Sequence, residues 1–227
     1  MEINPIGYIK TDFSEKFGIP RQSGRVPELR GTVIFCDEYK DAEILRGIED
    51  FSHLWLIFGF SKAEYKTGTK TVRPPRLGGN KRVGIFASRS PYRPNSLGLS
   101  VVKLEEVKKT TKDGTVLIVS GVDMLDGTPI YDIKPYIPYA DSIPDAVGGY
   151  ADEFSDYCAE VEFPEELLKK IPTEKRDALI RCLKDDPRPS YHDKERCYHM
   201  KYGEFDIEFV AEKSLINVIN VTVKEED

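Results

Sequence analysis

The sequence has few of the residues that make a disulfide-rich, metal-binding or membrane protein. Its 227 residues include four cysteines and three histidines, and no two cysteines form a CxxC pair. Cysteines this sparse do not build a disulfide framework, so we expect four reduced thiols in a cytoplasmic protein. The longest apolar run, 54–58, is far shorter than the roughly 18 residues of a membrane helix. The first residues lack the basic and apolar stretches of a secretory signal, so we expect neither a signal nor a membrane span.

Several familiar site motifs are also absent. The chain has no GxGxxG, the usual dinucleotide fingerprint, and no HExxH. The nearest P-loop candidate, 79–84, is followed by Ile85 where that motif requires lysine. A zinc set can be imagined, but its spacings match no standard pattern, so we predict no metal site. Its members would be Cys182, His192, Cys197 and His199.

The charge of the chain is unevenly distributed. The net charge is −6, yet residues 61–95 hold nine basic residues against one acid, whereas 141–227 hold 22 acids against 12 bases. The basic segment is rich in arginine, proline and glycine, and Tyr92 lies between Arg89 and Arg93. Arginine suits phosphate, and interleaved aromatic rings suit base stacking. The segment is either a solvated face or, as we predict, a surface for a nucleic acid.

Residues up to about 140 predict mainly β structure. Asp113-Gly114 is a hairpin signal, and a short helix is expected over 39–46 with Gly47 at its end. Many strands with glycine and proline turns favour a barrel or a sandwich over alternating β-α units. The predicted strands cover 32–36, 54–60, 83–87, 99–107, 115–120 and 130–133.

The character of the chain changes after about residue 140. A polar, turn-rich linker leads to a helix that is expected to open at Thr173 as N-cap and to stop at the DDPRP of 185–189. Three short strands follow in the prediction, at 197–202, 205–211 and 215–223. The sequence thus predicts a β-rich domain over 1–145 and a small α+β domain over 146–227.

Three segments have combinations of residues that packing alone does not require. They are GIPRQSG at 18–24, VGIFASRSPYRPNSLGLS at 83–100 and DMLDGTPIYDIKPYIPYAD at 123–141. With FSHLW at 51–55 and RPPRLGGN at 73–80, they resemble the TrmO family of tRNA methyltransferases, also called the TsaA-like or YaeB family. The resemblance covers about residues 3–140, and DPRPSY at 186–191 is similar to part of the smaller extra domain of that family.

The resemblance implies a fold and a reaction. The implied fold is a single-sheet β-barrel catalytic domain with a small α+β C-terminal domain, which agrees with the missing GxGxxG. The implied cofactor is S-adenosylmethionine (SAM), held near the subunit interface of a homodimer. The implied reaction methylates N6 of N6-threonylcarbamoyladenosine, beside the anticodon of tRNAs that read threonine codons.

The resemblance also implies which residues hold SAM. Arg89 would bind its carboxylate through the guanidinium fork. Asp126 would accept from the ribose hydroxyls, or else it caps its own turn. Leu99 would pack on the adenine, or else it belongs to the core. The implied cofactor-binding set is Pro20, Arg21, Gln22, Ser61, Lys62, Arg89, Leu99, Asp126, Gly127, Thr128 and Pro129.

The implied tRNA-binding residues lie in the basic segment, and they would hold the anticodon arm. The methyl transfer needs alignment more than acid–base chemistry, but the proton of the acceptor nitrogen must still leave. The sequence presents no histidine or isolated carboxylate as its acceptor, so the catalytic base is unassigned. If the C-terminal domain contacts tRNA, deletion of 141–227 should lower methylation and leave SAM binding intact. The tRNA-binding set is Arg73, Arg76, Lys81, Arg82, Tyr92 and Arg93.

Two other functions stay open at this point. One is a non-catalytic RNA-binding or nucleotide-sensing module on the same barrel, and the other is a methyltransferase that acts on a small molecule. The first explains the basic segment but not the combination of PRQ at 20–22, Arg89 and DGTP at 126–129. That combination suits a small zwitterionic ligand.

Overall fold

The computed structural model describes residues 2–77, 81–189, 192 and 194–223. Most of the regular structure is β, so the prediction of a mainly β fold is confirmed. Three short α-helices accompany the strands: α1 (Pro138–Asp141), α2 (Glu165–Leu168) and α3 (Thr173–Lys184). The strands are β1 (Gly7–Lys10), β2 (Arg30–Phe35), β3 (His53–Gly59), β4 (Thr71–Val72), β5 (Val83–Gly84), β6 (Leu97–Thr110), β7 (Gly114–Ser120), β8 (Thr128–Pro135), β9 (Glu160–Glu162), β10 (Arg196–Tyr202), β11 (Phe205–Glu212) and β12 (Leu215–Val223).

Six of these strands form one antiparallel sheet. The pairing runs β1-β2-β7-β6-β3-β8, and β8 pairs with β1 again, so the sheet closes on itself. The apolar run of β3 shows how the sequence fills the interior. Leu54, Leu56 and Phe58 are buried, whereas Trp55 and Ile57 between them are only half-buried. The predicted strand is therefore confirmed. Its side chains alternate between the two sides of the sheet, so one face is buried and the other faces outward.

The hairpin of β6 and β7 is confirmed, with Gly114 in the left-handed region at φ 71°. Other local predictions differ from the structure. The helix expected over 39–46 is a set of short 3-10 turns, with Gly47 between two of them. The strand expected over 83–87 is only two residues long, because the chain turns into a 3-10 turn at Ile85. β1 was not predicted, since four residues carry little pattern.

Four strands between Glu160 and Val223 form another sheet in the order β10-β11-β12-β9. The three strands predicted there are confirmed. Helix α3 buries Ala178, Leu179, Cys182 and Leu183. Pro172 is its N-cap residue, so Thr173 lies one position inside the helix and was wrongly predicted as the cap.

The segment between β1 and β2 packs on the second sheet. Phe13 meets Tyr202 edge-on, with ring centroids 5.7 Å apart. Phe17 stacks on Tyr198 at 6.0 Å and on Phe209 at 6.3 Å. The buried apolar residues of the barrel and of the C-terminal sheet consequently belong to one continuous core. None of the described helices is long and apolar enough to cross a membrane.

Candidate active site

A cavity of about 190 Å³ lies where four segments that are distant in sequence meet. These are the segment after β1, the end of β3 with the residues that follow it, the basic segment, and the turn before β8. Two predicted cofactor residues at the end of β3 and one in β8 line it. The lining residues are Lys16, Ile19, Phe58, Gly59, Phe60, Ser61, Lys62, Ala63, Pro91, Asp123, Met124, Leu125 and Thr128.

Asp123 is the acidic residue of this cavity. It lies between the buried Val122 and Met124, and its Oδ1 atom is enclosed without a hydrogen-bond partner. Burial raises the pKa of Asp123 to about 6, against the opposing effects of the Ser100 hydroxyl and the Arg89 charge. The sequence analysis missed this residue. The feature of the sequence that could have indicated it is a carboxylate between two apolar residues, Val122 and Met124.

Arg89 lies close enough to Asp123 for its positive charge to lower the pKa of that carboxyl. Its side chain is exposed, and its Nη1 atom donates a hydrogen bond to Oε1 of Gln22. The structure thus brings together two of the predicted cofactor residues, from motifs 67 positions apart. An exposed guanidinium at this place is a suitable donor for a carboxylate ligand.

Arg21 makes its hydrogen bonds to the C-terminal part of the chain. Its Nη2 atom donates to the carbonyl oxygen of Arg188 at 2.6 Å and to that of Asp186 at 3.4 Å. Its backbone N–H donates to Oδ2 of Asp185 at 3.4 Å, and the neighbouring Pro20 is buried. The predicted cofactor loop is therefore held from outside the barrel.

The turn at 126–129 divides between two cavities. Thr128 lines the cavity of Asp123, whereas Asp126 and Gly127 line a second one of about 490 Å³ beside β1 and β2. Oδ1 of Asp126 accepts the backbone N–H of Thr11 at 3.0 Å, and Gly127 adopts φ 73°. Pro129 is half-buried within β8. Asp126 therefore ties its turn to the residue that follows β1, and the ribose role stays a prediction.

Ser61, Lys62 and Leu99 occupy different surroundings. Ser61 and Lys62 are exposed at the rim of the smaller cavity, and the Lys62 carbonyl accepts from Nζ of Lys16 at 2.5 Å. Leu99 is 55% exposed on β6, opposite Ile57, and is not among the described lining residues. Its outward direction follows from alternation with the buried Ser100.

The basic segment presents its charges to solvent. Arg73 and Lys81 are exposed, and Nε of exposed Arg82 donates to Oγ1 of Thr71 at 2.8 Å. The side chain of Arg76 lies outside the described residues. The side chains of Arg73, Lys81 and Arg82 thus leave a positively charged surface on the described part of 73–82.

Tyr92 and Arg93 lie on the loop beside the cavity. Tyr92 is 48% exposed, with Nζ of Lys16 5.9 Å from its ring centroid. Arg93 is half-buried and donates to the carbonyl oxygens of Ser88 at 3.2 Å and Ser90 at 3.4 Å. Arg93 therefore shapes the loop that presents Tyr92.

One group of possible metal ligands occurs in the part of the chain that the structure describes. The ligand atoms of Cys197, His199 and Glu208 lie within 4.8 Å of one another, on the C-terminal sheet. Cys182, from the set considered in the sequence, is buried in α3. The prediction that no metal is needed stays a prediction.

The comparisons with known proteins cover nearly the whole chain. Residues 8–142 match the sequence model of the tRNA-methyltransferase O N-terminal domain, and 156–224 match that of the TrmO C-terminal domain. A Pseudomonas aeruginosa protein named as a putative S-adenosylmethionine-dependent methyltransferase, RcsF, is 40% identical over 96% of each chain. The tRNA (adenine(37)-N6)-methyltransferase of Escherichia coli is 44% identical, over 84% of this chain and 83% of its own.

The solved structures give the same result. A crystal structure of TrmO from Pseudomonas aeruginosa superposes with a TM-score of 0.78 at 36% identity, over 99% of this chain and 97% of the other. These matches define the class as the SAM-dependent tRNA methyltransferases. Within that class, the chain belongs to the TrmO family.

Proposed function

We propose that this protein transfers a methyl group from SAM to N6 of N6-threonylcarbamoyladenosine, beside the anticodon of threonine tRNAs. The observation that carries the proposal is the meeting of the 18–24, 83–100 and 123–141 segments at one cavity, through Ile19, Pro91 and Asp123. A hydrogen bond from Arg89 to Gln22 also joins the first two segments. Those are the segments on which the family resemblance rests. Family membership supports SAM and tRNA, and the threonylcarbamoyl group is the finer part of the proposal.

The residues at the cavity fit the polar groups of SAM. The exposed Arg89 is suited to the carboxylate, and Ser61 and Thr128 in the cavity lining offer hydroxyl oxygens. SAM, when bound, supplies a methyl group already activated by a positively charged sulfur.

The acceptor in this proposal is a nucleotide in a single-stranded loop, which can be splayed out without breaking a duplex. Tyr92 offers a half-exposed ring next to the cavity, as a platform for a base. Arg73, Arg76, Lys81 and Arg82 would hold the phosphates of the anticodon arm, while Arg93 holds the loop of Tyr92 in shape.

Three further features belong to the proposal. We assign residues 1–145 to the catalytic barrel and 146–227 to a small C-terminal domain. We place the protein in the cytoplasm, in keeping with its four free cysteines. We propose a homodimer, because the large apolar residues Leu99 and Phe86 are 55% and 83% exposed. Light scattering after gel filtration measures that state directly.

The experiment that tests the function is methyl transfer to two tRNAs. The purified protein is incubated with isotopically labelled SAM and with threonine tRNA that carries, or lacks, the threonylcarbamoyl group. Nucleosides are then analysed by mass spectrometry. Label on threonylcarbamoyladenosine alone supports the proposal. Label on the unmodified tRNA alone would overturn the substrate, and SAM binding without any transfer would favour a sensing module.

A further inference from the structure

We propose that Asp123 accepts the proton that leaves the acceptor nitrogen during methyl transfer. This inference rests on the proposed function and goes further, because it supplies the base that the sequence left unassigned. It is founded on the position of the carboxylate: Asp123 lines the cavity at the end of β3, between Ile19 and Pro91 of two of the motif segments, and its Oδ1 has no hydrogen-bond partner.

The enclosure of Asp123 explains why its free oxygen points to a ligand. A buried polar atom without a hydrogen bond is costly, so native proteins keep few of them. The walls around Asp123 are apolar, with Phe58, Met124 and Leu125 in the same lining. The accessible area of Oδ1 is below 1 Å², so bulk water does not provide a hydrogen bond to this atom. The Asp123 carboxylate, which lines the cavity, would therefore gain a hydrogen bond from a ligand N–H that enters it.

The charged groups around Asp123 are suited to a proton acceptor. Arg89 faces it from the basic segment, and the Ser100 hydroxyl approaches from β6. The same cavity is lined by Lys16 and Lys62, whose ammonium groups are the other titratable groups in its described lining. Burial opposes the ionised carboxylate, whereas the Ser100 hydroxyl, the backbone N–H groups of Ser23 and Asp123, and the Arg89 charge favour it. The outcome is a pKa of about 6 for Asp123, close to that of the most effective bases at neutral pH.

No other described residue of the cavity offers this chemistry. Its lining contains one carboxylate and no histidine. His53 begins β3, while the cavity lies at Phe58 and beyond, about five residues or roughly 17 Å along an extended strand. His192 and His199 belong to the C-terminal unit. The position of Asp123 therefore singles it out.

The proposed step balances as a displacement with loss of one proton. The acceptor nitrogen forms a bond to the methyl carbon as the carbon–sulfur bond breaks, and the electron pair of that bond stays on sulfur. The proton of the nitrogen passes to the carboxylate of Asp123. The carboxyl then releases it to water before the next turnover.

The test compares Asp123→Asn with Asp113→Asn. Asp113 lies in the turn of the β6–β7 hairpin, more than ten residues after Ser100 in the sequence. The substitution gives Asn followed by Gly114, a pair that favours the same kind of hairpin turn. Single-turnover rates on threonylcarbamoylated tRNA are measured with saturating SAM from pH 5 to 8, and SAM affinity is measured by calorimetry. Carbon-13 NMR of labelled aspartate follows the carboxyl itself in the presence and absence of SAM.

We expect Asp123→Asn to lower the rate 10²- to 10⁴-fold, the usual contribution of a general base, and to leave the SAM Kd within twofold. The wild-type rate should fall about tenfold per pH unit well below the carboxyl pKa. In NMR, a carboxyl resonance that titrates near pH 6 should be missing from the variant. Asp113→Asn should keep both the rate and that resonance.

Two results would overturn the role of Asp123 alone. One is an unchanged rate in Asp123→Asn. The other is a SAM Kd weakened tenfold or more with the rate recovered at saturating SAM, which would make Asp123 a ligand of the SAM ammonium. A wild-type protein that binds SAM and labels neither tRNA would instead overturn the proposed function, and the role of Asp123 with it.

Discussion

Arg21 donates a hydrogen bond from its guanidinium to the carbonyl oxygen of Arg188, 2.6 Å away and 167 positions along the chain. This bond joins the predicted cofactor loop to the C-terminal unit. Arg25 adds an ion pair with Asp185 and donates to the carbonyl oxygen of Tyr157 at 3.1 Å. The loop that carries Gln22 toward Arg89 is therefore held in place by residues beyond the barrel.

Asp186 and Arg188 make this contact rigid. Their side chains are 7% and 3% exposed, and Nε of Arg188 lies 2.8 Å from Oδ1 of Asp186. Burial raises the pKa of Asp186, but hydrogen bonds from Arg188 and from the Tyr157 hydroxyl outweigh it and hold the pKa below its ordinary value. Arg188 is consequently no part of an exposed basic face for RNA, and the C-terminal unit has a structural task at the candidate site.

The first prediction concerns Asp185→Ala. Asp185 is nearly buried beneath Arg25 and accepts from the Arg21 backbone, so its loss leaves a cation without its partner. We expect a loss of about 3 kcal/mol of unfolding free energy, the scale for breaking a buried pair. SAM affinity should fall about tenfold, since ordering the loop then costs on the order of 1.4 kcal/mol at binding. Urea unfolding and calorimetry measure the two effects.

The matched control for this change is Arg181→Ala. Arg181 pairs with Glu28 at 3.2 Å across the same contact, but its side chain is 54% exposed. An exposed pair contributes only about 0–1 kcal/mol, so both readouts should stay near the wild type. Equal SAM affinity in Asp185→Ala and wild type would show that the loop holds its shape unaided. On the present structure, deletion of 141–227 should lower SAM binding as well as tRNA methylation, unlike the expectation from sequence.

The second prediction uses the pH dependence of stability. Asp123 has a folded pKa of about 6 against an ordinary value of 3.8. Because the folded pKa is the higher one, the carboxyl contributes stability below pH 4 that is lost as the pH rises through 6. Asp123→Asn has no such loss. Its unfolding free energy relative to wild type should rise between pH 4 and pH 8, by up to about 3 kcal/mol for two pKa units.

Guanidinium unfolding at a series of pH values measures this difference. Asp113→Asn is again the control, and its difference from wild type should stay within about 0.5 kcal/mol, as for most surface changes. A flat difference for Asp123→Asn would mean that its carboxyl is solvated in the folded protein. Variants that gain stability and lose activity are expected where a charged group is buried for function.

The sequence predicted the parts of the fold that local pattern controls. Asp113-Gly114 marks a hairpin by its turn chemistry, and short runs rich in β-branched and aromatic residues mark the strands predicted at 205–211 and 215–223. The 83–87 prediction failed because Ile85 serves as a buried anchor for a 3-10 turn, so its hydrophobicity indicates burial and not a strand.

The candidate site was predictable only where a motif carries it. Arg89 and Gln22 belong to recognisable segments, and the structure brings them together. Asp123 was missed since burial and an unpartnered oxygen are properties of the packed structure. The bond from Arg21 to Arg188 was equally out of reach, because nothing in either segment indicates its partner.

The third prediction concerns Arg89→Ala. If Arg89 binds the SAM carboxylate, its loss should weaken SAM binding by about 1.5–3 kcal/mol, the value of a hydrogen bond to a charged group. Arg46→Ala is the control, since Arg46 is an exposed arginine that pairs with Glu43 in a 3-10 turn. Calorimetry at constant salt compares them. Wild-type affinity in Arg89→Ala would remove Arg89 from the cofactor site.

The fourth prediction separates the basic segment from general charge attraction. Removing Arg73, Lys81 and Arg82 together as alanines should weaken tRNA binding and flatten its salt dependence. Each phosphate contact contributes about 0.7–0.9 to the slope of log K against log salt, so three lost contacts should reduce the slope by about 2–3. Filter binding at several salt concentrations measures it.

The control removes the same charge from the other end of the barrel. Lys108, Lys109 and Lys112 are exposed around the β6–β7 hairpin. Their triple alanine variant loses three positive charges, so a purely long-range attraction would respond equally to both changes. Direct contact predicts a slope close to wild type for the hairpin variant and a reduced slope for the other. Equal slopes in the two variants would mean that the tRNA responds to the overall field and that the 73–82 surface makes no specific phosphate contacts.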